Sequence, residues 1–182
     1  MAQSSRESRL SGERIYSGRV VVLEVDRVGL PNGGESVREV IRHRGAAVVL
    51  PLLDDGRVVL VRQYRYPVGE SLLELPAGTL ELAEHPMECA ARELAEETGL
   101  RARTLSPLGR FYSAPGYTDE TLHAVLATGL ERTAGADPDH DELIEIELVA
   151  SGEVVRRIAS GEIRDAKTIA TLMLAQLHGV SL

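Results

Sequence analysis

Three glutamates, Glu93, Glu96 and Glu97, crowd one part of the segment Gly78–Leu100 (GTLELAEHPMECAARELAEETGL), which reads as a tight turn followed by a helix. Successive helical residues step by about 100°, so Glu97 lies about 40° from Glu93 one turn on, and Glu96 about 60° away on the other side. Like charges four residues apart destabilise a helix by roughly a few tenths of a kcal/mol, and a cation between them reverses the sign. The three carboxylates are expected to converge on one patch, opposite an apolar stripe of Met87, Ala90, Ala91, Leu94 and Thr98. Such a patch suits a hard divalent cation, and Mg²⁺ in particular accepts one or two carboxylates together with waters and substrate phosphates. No paired His or Cys residues stand nearby, which argues against zinc. An E-x-x-E-E pattern alone is more often a solvated face. Arg92, four residues after Glu88 and four before Glu96, can bridge and orient carboxylates.

The spacing to residues upstream changes the reading. Gly78 is followed after five residues by Glu84, and after seven more by Arg92-Glu93-Leu94-Ala95-Glu96-Glu97-Thr98-Gly99-Leu100. This pattern resembles the Nudix box at every defining position. The resemblance implies a mixed sheet between helices, an α+β fold of α/β/α sandwich type, with the box forming loop–helix–loop. It implies hydrolysis of a nucleoside diphosphate linked to another group, with two or three Mg²⁺ ions per site and Mn²⁺ as the other candidate. It further implies Glu93 and Glu97 as direct metal ligands, joined by the Ala77 carbonyl. Glu96 would be a further ligand or would handle the nucleophilic water. Arg92 would hold the carboxylates, and Glu84 would tie the loop to the helix. A glycine at position 78 fits a close approach of backbone to ligand.

Substrate choice must come from outside the box. Pro115 follows Gly99 after sixteen places, in SAPGYTDE (Ser113–Glu120), which resembles the ADP-ribose pyrophosphatase subgroup. Val61-Arg62-Gln63-Tyr64-Arg65 resembles the subgroup's strand whose arginine reaches the substrate. Arg65 is the candidate diphosphate contact, because guanidinium forks fit phosphate oxygens, and Arg62 is the alternative in another register. Leu73–Gly78 resembles the subgroup's approach to the box, and Glu81 and Glu120 join the substrate-contact candidates. Arg38 and Glu39 resemble a segment near the adenine, although neighbours on a strand point to opposite faces. In similar enzymes a glutamate on a loop after the box serves as base or binds a further metal. Glu142 is the best match, in a loop where His140 replaces a second glutamate of some relatives. Proton acceptance is therefore left between Glu142 and Glu96.

The elements that must position these residues follow from periodicity. Ile15–Tyr16 and Val20–Val25 read as short strands. Pro31–Gly34 reads as a turn and Val37–His43 as the returning hairpin partner. Ala46–Leu53 is a continuous apolar run, expected to be a strand buried on both faces. Asp54-Asp55-Gly56 turns it into Arg57–Tyr64. Leu72–Leu75 is a brief strand leading into Pro76-Ala77-Gly78. A helix should open at Pro86, where proline fits the first position, and end at Gly99. Strands are expected at Leu105–Tyr112, Thr121–Ala127 and Leu143–Val149. Helices are expected at Ser151–Ser160 and Ala166–Leu177, the second capped by Asp165. Irregular interspersion of strands and helices favours a mixed sheet over a doubly wound parallel one.

Composition agrees. The chain has 182 residues, 43 % of them hydrophobic, and a net charge of −8. That balance argues against a general binder of nucleic acid or of anionic membranes. No apolar run approaches the roughly 18 residues of a membrane span. The polar start, MAQSSRESRLSGER, lacks a signal core and is expected to be frayed. A single cysteine, Cys89, points to a reducing cytoplasmic setting and reads as a small helix residue. Residues 1–45 are expected to form an antiparallel N-terminal β extension and 46–182 the catalytic domain. The resemblance implies a homodimer formed through that extension.

The runner-up readings are a pyrophosphatase for another nucleotide sugar or dinucleotide, such as GDP-mannose or NADH, and, behind these, a coenzyme A hydrolase, which no additional motif supports. From a different class, the chain could be an inactive ligand-sensing module. That reading fits poorly with three intact box glutamates and no basic patch for DNA.

Overall fold

The computed structural model describes residues 6–133 and 144–182. They divide into two compact units, one of residues 6–44 with 112–121 and the other of residues 45–111 with 122–182.

In the first unit, β1 (Ser8–Ser17), β2 (Val22–Gly29) and β3 (Glu35–Arg42) form an antiparallel sheet in the order β1-β2-β3. The start of the chain is therefore strand from Ser8 onward, longer than the Ile15–Tyr16 expected from apolar content. Cross-strand ion pairs replace apolar pairing there: Arg9 Nε lies 2.8 Å from Asp26 Oδ1, and Arg14, directly opposite Glu24, reaches its Oε1 at 3.2 Å. Gly33 turns the chain with φ 84°, as the Pro-Asn-Gly-Gly cluster requires. Tyr112–Thr121 packs with this unit, which a linear division at residue 45 does not anticipate. Ile41 N donates to Tyr117 O at 2.8 Å, and His43 N donates to Asp119 Oδ1 at 2.8 Å.

In the second unit, the strands are β4 (Ala46–Pro51), β5 (Arg57–Arg65), β6 (Glu70–Glu74), β7 (Ala77–Thr79), β8 (Leu100–Tyr112), β9 (Thr121–Arg132) and β10 (Glu145–Ala150). One sheet has the order β7-β4-β9-β8 and is mixed, since β4 runs antiparallel to β7 and parallel to β9. A second, antiparallel sheet has the order β10-β5-β6. The helices are α1 (Pro86–Thr98), α2 (Ser151–Ala159) and α3 (Ala166–Leu177).

The apolar run of β4 is buried along its whole length, as a central strand should be. Its alternate residues serve two cores. Ala46, Val48 and Leu50 join Leu172 and Ala175 of α3, whereas Ala47 and Val49 join Cys89, Ala90 and Leu94 of α1. Helices thus cover both faces of the mixed sheet, which is the expected α+β sandwich.

Helix α1 begins at Pro86 behind a capping box. His85 Nδ1 accepts from Met87 N at 3.3 Å, and Glu88 Oε2 accepts from His85 N at 3.1 Å. It ends at Gly99 in the left-handed region, φ 66°. Its buried stripe differs from the expected one. Ala91 is exposed, while Cys89 and Glu93 are buried beside Ala90 and Leu94, because the helix is rotated to bring Glu93 toward β7.

Candidate active site

Pairing with β4 fixes β7. Ala77, Gly78 and Thr79 stand opposite Val48, Ala47 and Ala46, and Val49 N donates to Pro76 O at 2.9 Å. Helix α1 packs on β4 as well, with Cys89, Ala90 and Leu94 against Ala47 and Val49. Strand and helix are thereby held close enough for side chains of α1 to touch the backbone of β7.

Gly78 makes that contact available. An ideal Cβ at this position would lie 1.8 Å from Glu93 Oε1 and 2.4 Å from Oε2, so only glycine leaves room for the carboxylate. One residue earlier, Ala77 N donates to Glu97 Oε2 at 3.2 Å. Glu93 and Glu97 therefore border the same short stretch of backbone.

Arg92 organises the remaining acids. Its Nε and Nη2 grip both oxygens of Glu84, at 2.9 and 3.0 Å, and Nη1 reaches Glu93 Oε1 at 2.6 Å and Glu96 Oε2 at 3.0 Å. Glu84 Oε2 also accepts from Glu81 N at 2.8 Å, which joins the loop to the helix. The Arg92 guanidinium holds the Glu84 carboxyl far below the usual range, down to about 2. Glu93 shifts the other way: burial raises its pKa, and Arg92 only partly opposes this.

The expected convergence of Glu93, Glu96 and Glu97 on one patch is corrected. Glu93 is buried, Glu96 is exposed and drawn to Arg92, and Glu97 turns to Ala77 N. Among the described residues, no three carboxylate, imidazole or thiol groups gather closely enough to hold a metal ion by themselves. The donors that are present still fit a hard divalent cation. Glu93 and Glu97 meet at a backbone stretch kept open by Gly78, and Mg²⁺ needs only one or two carboxylates beyond water and phosphate. The carboxylate oxygens at this stretch do not suit a soft metal, which prefers thiolate ligands.

A second charged cluster lies three residues upstream of Ala77. Glu74, 1 % exposed, accepts a fork from Arg65, with Nε to Oε1 at 3.1 Å and Nη2 to Oε2 at 2.8 Å, and also accepts from Lys167 Nζ. Burial alone would raise its pKa, but Arg65 and Lys167 outweigh that and hold the carboxyl below its usual range. Glu74 and Lys167 were not legible as partners in the sequence. The available signal was a lone carboxylate inside the apolar run LLELPAG, which must find a cation if buried. Arg62 sits apart in a different network, with Nη2 3.0 Å from Glu147 Oε2 and 3.6 Å from Glu162 Oε1. Arg157 joins the same two acids.

Among the other sequence candidates, the Glu81 side chain is exposed. Arg38, Glu39 and Glu120 belong to the β1–β3 unit. Arg38 bonds Glu7 and Ser36, Glu39 is exposed, and Glu120 Oε1 lies 3.5 Å from His43 Nδ1. Glu142 and His140 lie outside the described residues. Among those described, no helix is long and apolar enough to cross a membrane.

Comparison with known proteins bears on this arrangement. The family model described as NUDIX domain matches residues 42–172. The chain is 39 % identical over 176 residues to an ADP-ribose pyrophosphatase of Bacillus subtilis, covering 96 % of this chain and 95 % of the relative. It is also 39 % identical to a protein of Bacillus methanolicus named methanol dehydrogenase activator, covering 98 % of this chain and 97 % of the relative. Among solved structures, an ADP compounds hydrolase superposes with a TM-score of 0.85 at 24 % identity, covering 95 % of this chain and 94 % of that one, a likeness of fold.

Proposed function

Because this chain belongs to the Nudix family, we propose that it is a hydrolase cleaving ADP-ribose to AMP and ribose 5-phosphate with the aid of a divalent cation. The observation that carries the reading is the meeting of Glu93 and Glu97 at the Ala77–Gly78 backbone, where a Cβ on residue 78 would be excluded. The substrate rests on the likeness to an ADP-ribose pyrophosphatase over nearly the whole chain.

Glu93, Glu97 and the Ala77 carbonyl are the groups proposed to hold the cation, with Glu96 beside them. Bound Mg²⁺ or Mn²⁺, two or three ions per site, supplies neutralisation of the diphosphate and a water of lowered pKa. Arg92 keeps Glu93 and Glu96 in place through its bonds to both. Arg65 is proposed to turn its fork to the diphosphate, with Arg62 as the alternative. Glu142 or Glu96 is proposed to take the proton from the attacking water. Glu81, Arg38, Glu39 and Glu120 complete the proposed substrate contacts. Hydrolysis adds water across one phosphorus–oxygen bond, leaving AMP and ribose 5-phosphate.

The proposed active form is a cytoplasmic homodimer. Strand β1 is exposed along all ten residues, including Leu10, Ile15 and Tyr16, so it offers an apolar edge for a second copy. Sedimentation velocity giving a monomer at micromolar concentration would remove the dimer.

The activity itself is tested by incubating the protein with ADP-ribose and Mg²⁺, with and without EDTA, and identifying products by chromatography. AMP and ribose 5-phosphate that vanish with EDTA are expected. A panel with GDP-mannose and NADH should show the highest kcat/KM for ADP-ribose; a higher value for either competitor would reassign the substrate.

A further inference from the structure

The buried carboxylate of Glu74 is shared by two cations from different elements. Arg65 of β5 and Lys167 of α3 both reach the same oxygen, Oε2, and the two positions are far apart in sequence. Exposure differs sharply within the trio. Glu74 is 1 % exposed, the Lys167 side chain 18 % and that of Arg65 34 %. The cluster is also next to the box, because only Leu75 and Pro76 separate Glu74 from Ala77, a reach of about 11 Å at most.

These facts create a problem for any role of Arg65 in binding. If its fork turns to a substrate phosphate, it leaves a carboxylate that is out of water, and an uncompensated buried charge is heavily penalised. Lys167 removes the problem. Its ammonium stays on Oε2 and is itself anchored at the start of α3, with Asp165 Oδ1 at 3.0 Å. Asp165 is held in turn as the helix cap, accepting from Thr168 N at 2.9 Å and from Thr168 Oγ1 at 2.6 Å. Thr168 Oγ1 also accepts from Leu75 N at 2.8 Å, which fixes α3 to the residue after Glu74. Lys167 is thus a fixed counter-ion, whereas Arg65 is the more exposed and exchangeable one.

Resting on the reading of Arg65 as a diphosphate contact, we propose that Lys167 is a positioning residue. By keeping Glu74 neutralised, it releases the Arg65 fork to the diphosphate of the substrate. The residue touches Glu74 rather than the reacting atoms, so its loss acts on substrate affinity and not on the chemical step.

The test is steady-state kinetics on ADP-ribose at saturating Mg²⁺ with Lys167→Met, Lys167→Arg, Glu74→Gln, Glu74→Gln/Lys167→Met and Arg65→Gln. Lys167→Met should raise KM roughly tenfold or more with kcat within about twofold, and Lys167→Arg should restore KM. In the Glu74→Gln background no buried charge needs a counter-ion, so adding Lys167→Met should leave KM within about twofold. That pair of variants keeps the test open if Lys167→Met alone does not fold. An unchanged KM in Lys167→Met, an equal fall in kcat, or a further rise of KM in the Glu74→Gln background would overturn the proposal. If instead Arg65→Gln leaves KM at the wild-type value, the diphosphate role of Arg65 fails, and with it the premise.

Discussion

The carboxylate of Glu93 occupies the space that the Cβ of residue 78 would need, with Oε1 only 1.8 Å from the ideal Cβ position. The glycine at this place in the box is therefore explained by packing between a helix side chain and a strand backbone. A displacement of about 1 Å at a catalytic group costs on the order of 10²-fold in rate. Gly78→Ala should lower kcat by about that factor or more, and overpacking should cost roughly 1–3 kcal/mol of stability. Both are read from kinetics and urea unfolding of the purified variant. Wild-type turnover in Gly78→Ala would show that the close approach has no bearing on activity.

Arg92 makes folding sensitive to acid through Glu84. The Glu84 carboxyl titrates at about 2 in the folded protein against 4.5 ordinarily, so the folded state binds fewer protons between those values. Stability from this group is fully present above pH 4.5 and is lost as pH falls through about 2. Glu84→Gln should be less stable than wild type at pH 6, and the gap should narrow progressively below pH 4.5. Urea titrations at a series of pH values measure it; a gap that stays constant down to pH 2.5 would contradict the assignment.

Cys89 should be chemically silent. Its side chain is fully buried against the turn, with Sγ 3.5 Å from Gly78 O, and its pKa is pushed up to about 12. Iodoacetamide at pH 8 should label the native protein only on the timescale of unfolding, and the urea-denatured protein at once. Fast native labelling seen by mass spectrometry would contradict the burial and with it the packing of α1 on β7.

The N-terminus of α3 should be worth a measurable share of stability. Asp165 accepts from Thr168 N at 2.9 Å, and Asp165→Ala should cost about 1 kcal/mol for the lost cap, with more if Lys167 shifts. Thermal unfolding checks this, and an unchanged Tm would remove the cap from the account.

Local features were legible in the sequence and distant pairings were not. The run Ala46–Leu53 announced the buried central strand, and Pro86 and Gly99 marked both ends of α1, because each acts through its own backbone preferences. Glu84, Arg92, Glu93, Glu96 and Glu97 were legible because their spacing is fixed along a turn and a helix. The rotation of α1 that buries Glu93 and exposes Ala91 depends on how the helix packs against β4 and β7, which periodicity of one helix cannot encode. Glu74 with Lys167 is a pairing of residues 93 apart in sequence, so no local pattern announces it. The length of β1 is not legible in the sequence because its pairing rests on charges, Arg9 with Asp26 and Arg14 with Glu24, rather than on apolar alternation.

The proposed active site places a cation-dependent hydrolysis of ADP-ribose on carboxylates of α1 at the Ala77–Gly78 backbone. Its most direct test is the turnover of Glu97→Gln on ADP-ribose at saturating Mg²⁺, with Tm measured on the same sample. Glutamine keeps an acceptor for Ala77 N but removes the charge. The expected result is a fall in kcat of about 10²-fold or more with Tm nearly unchanged. Near-normal kcat in a folded Glu97→Gln protein would contradict the account.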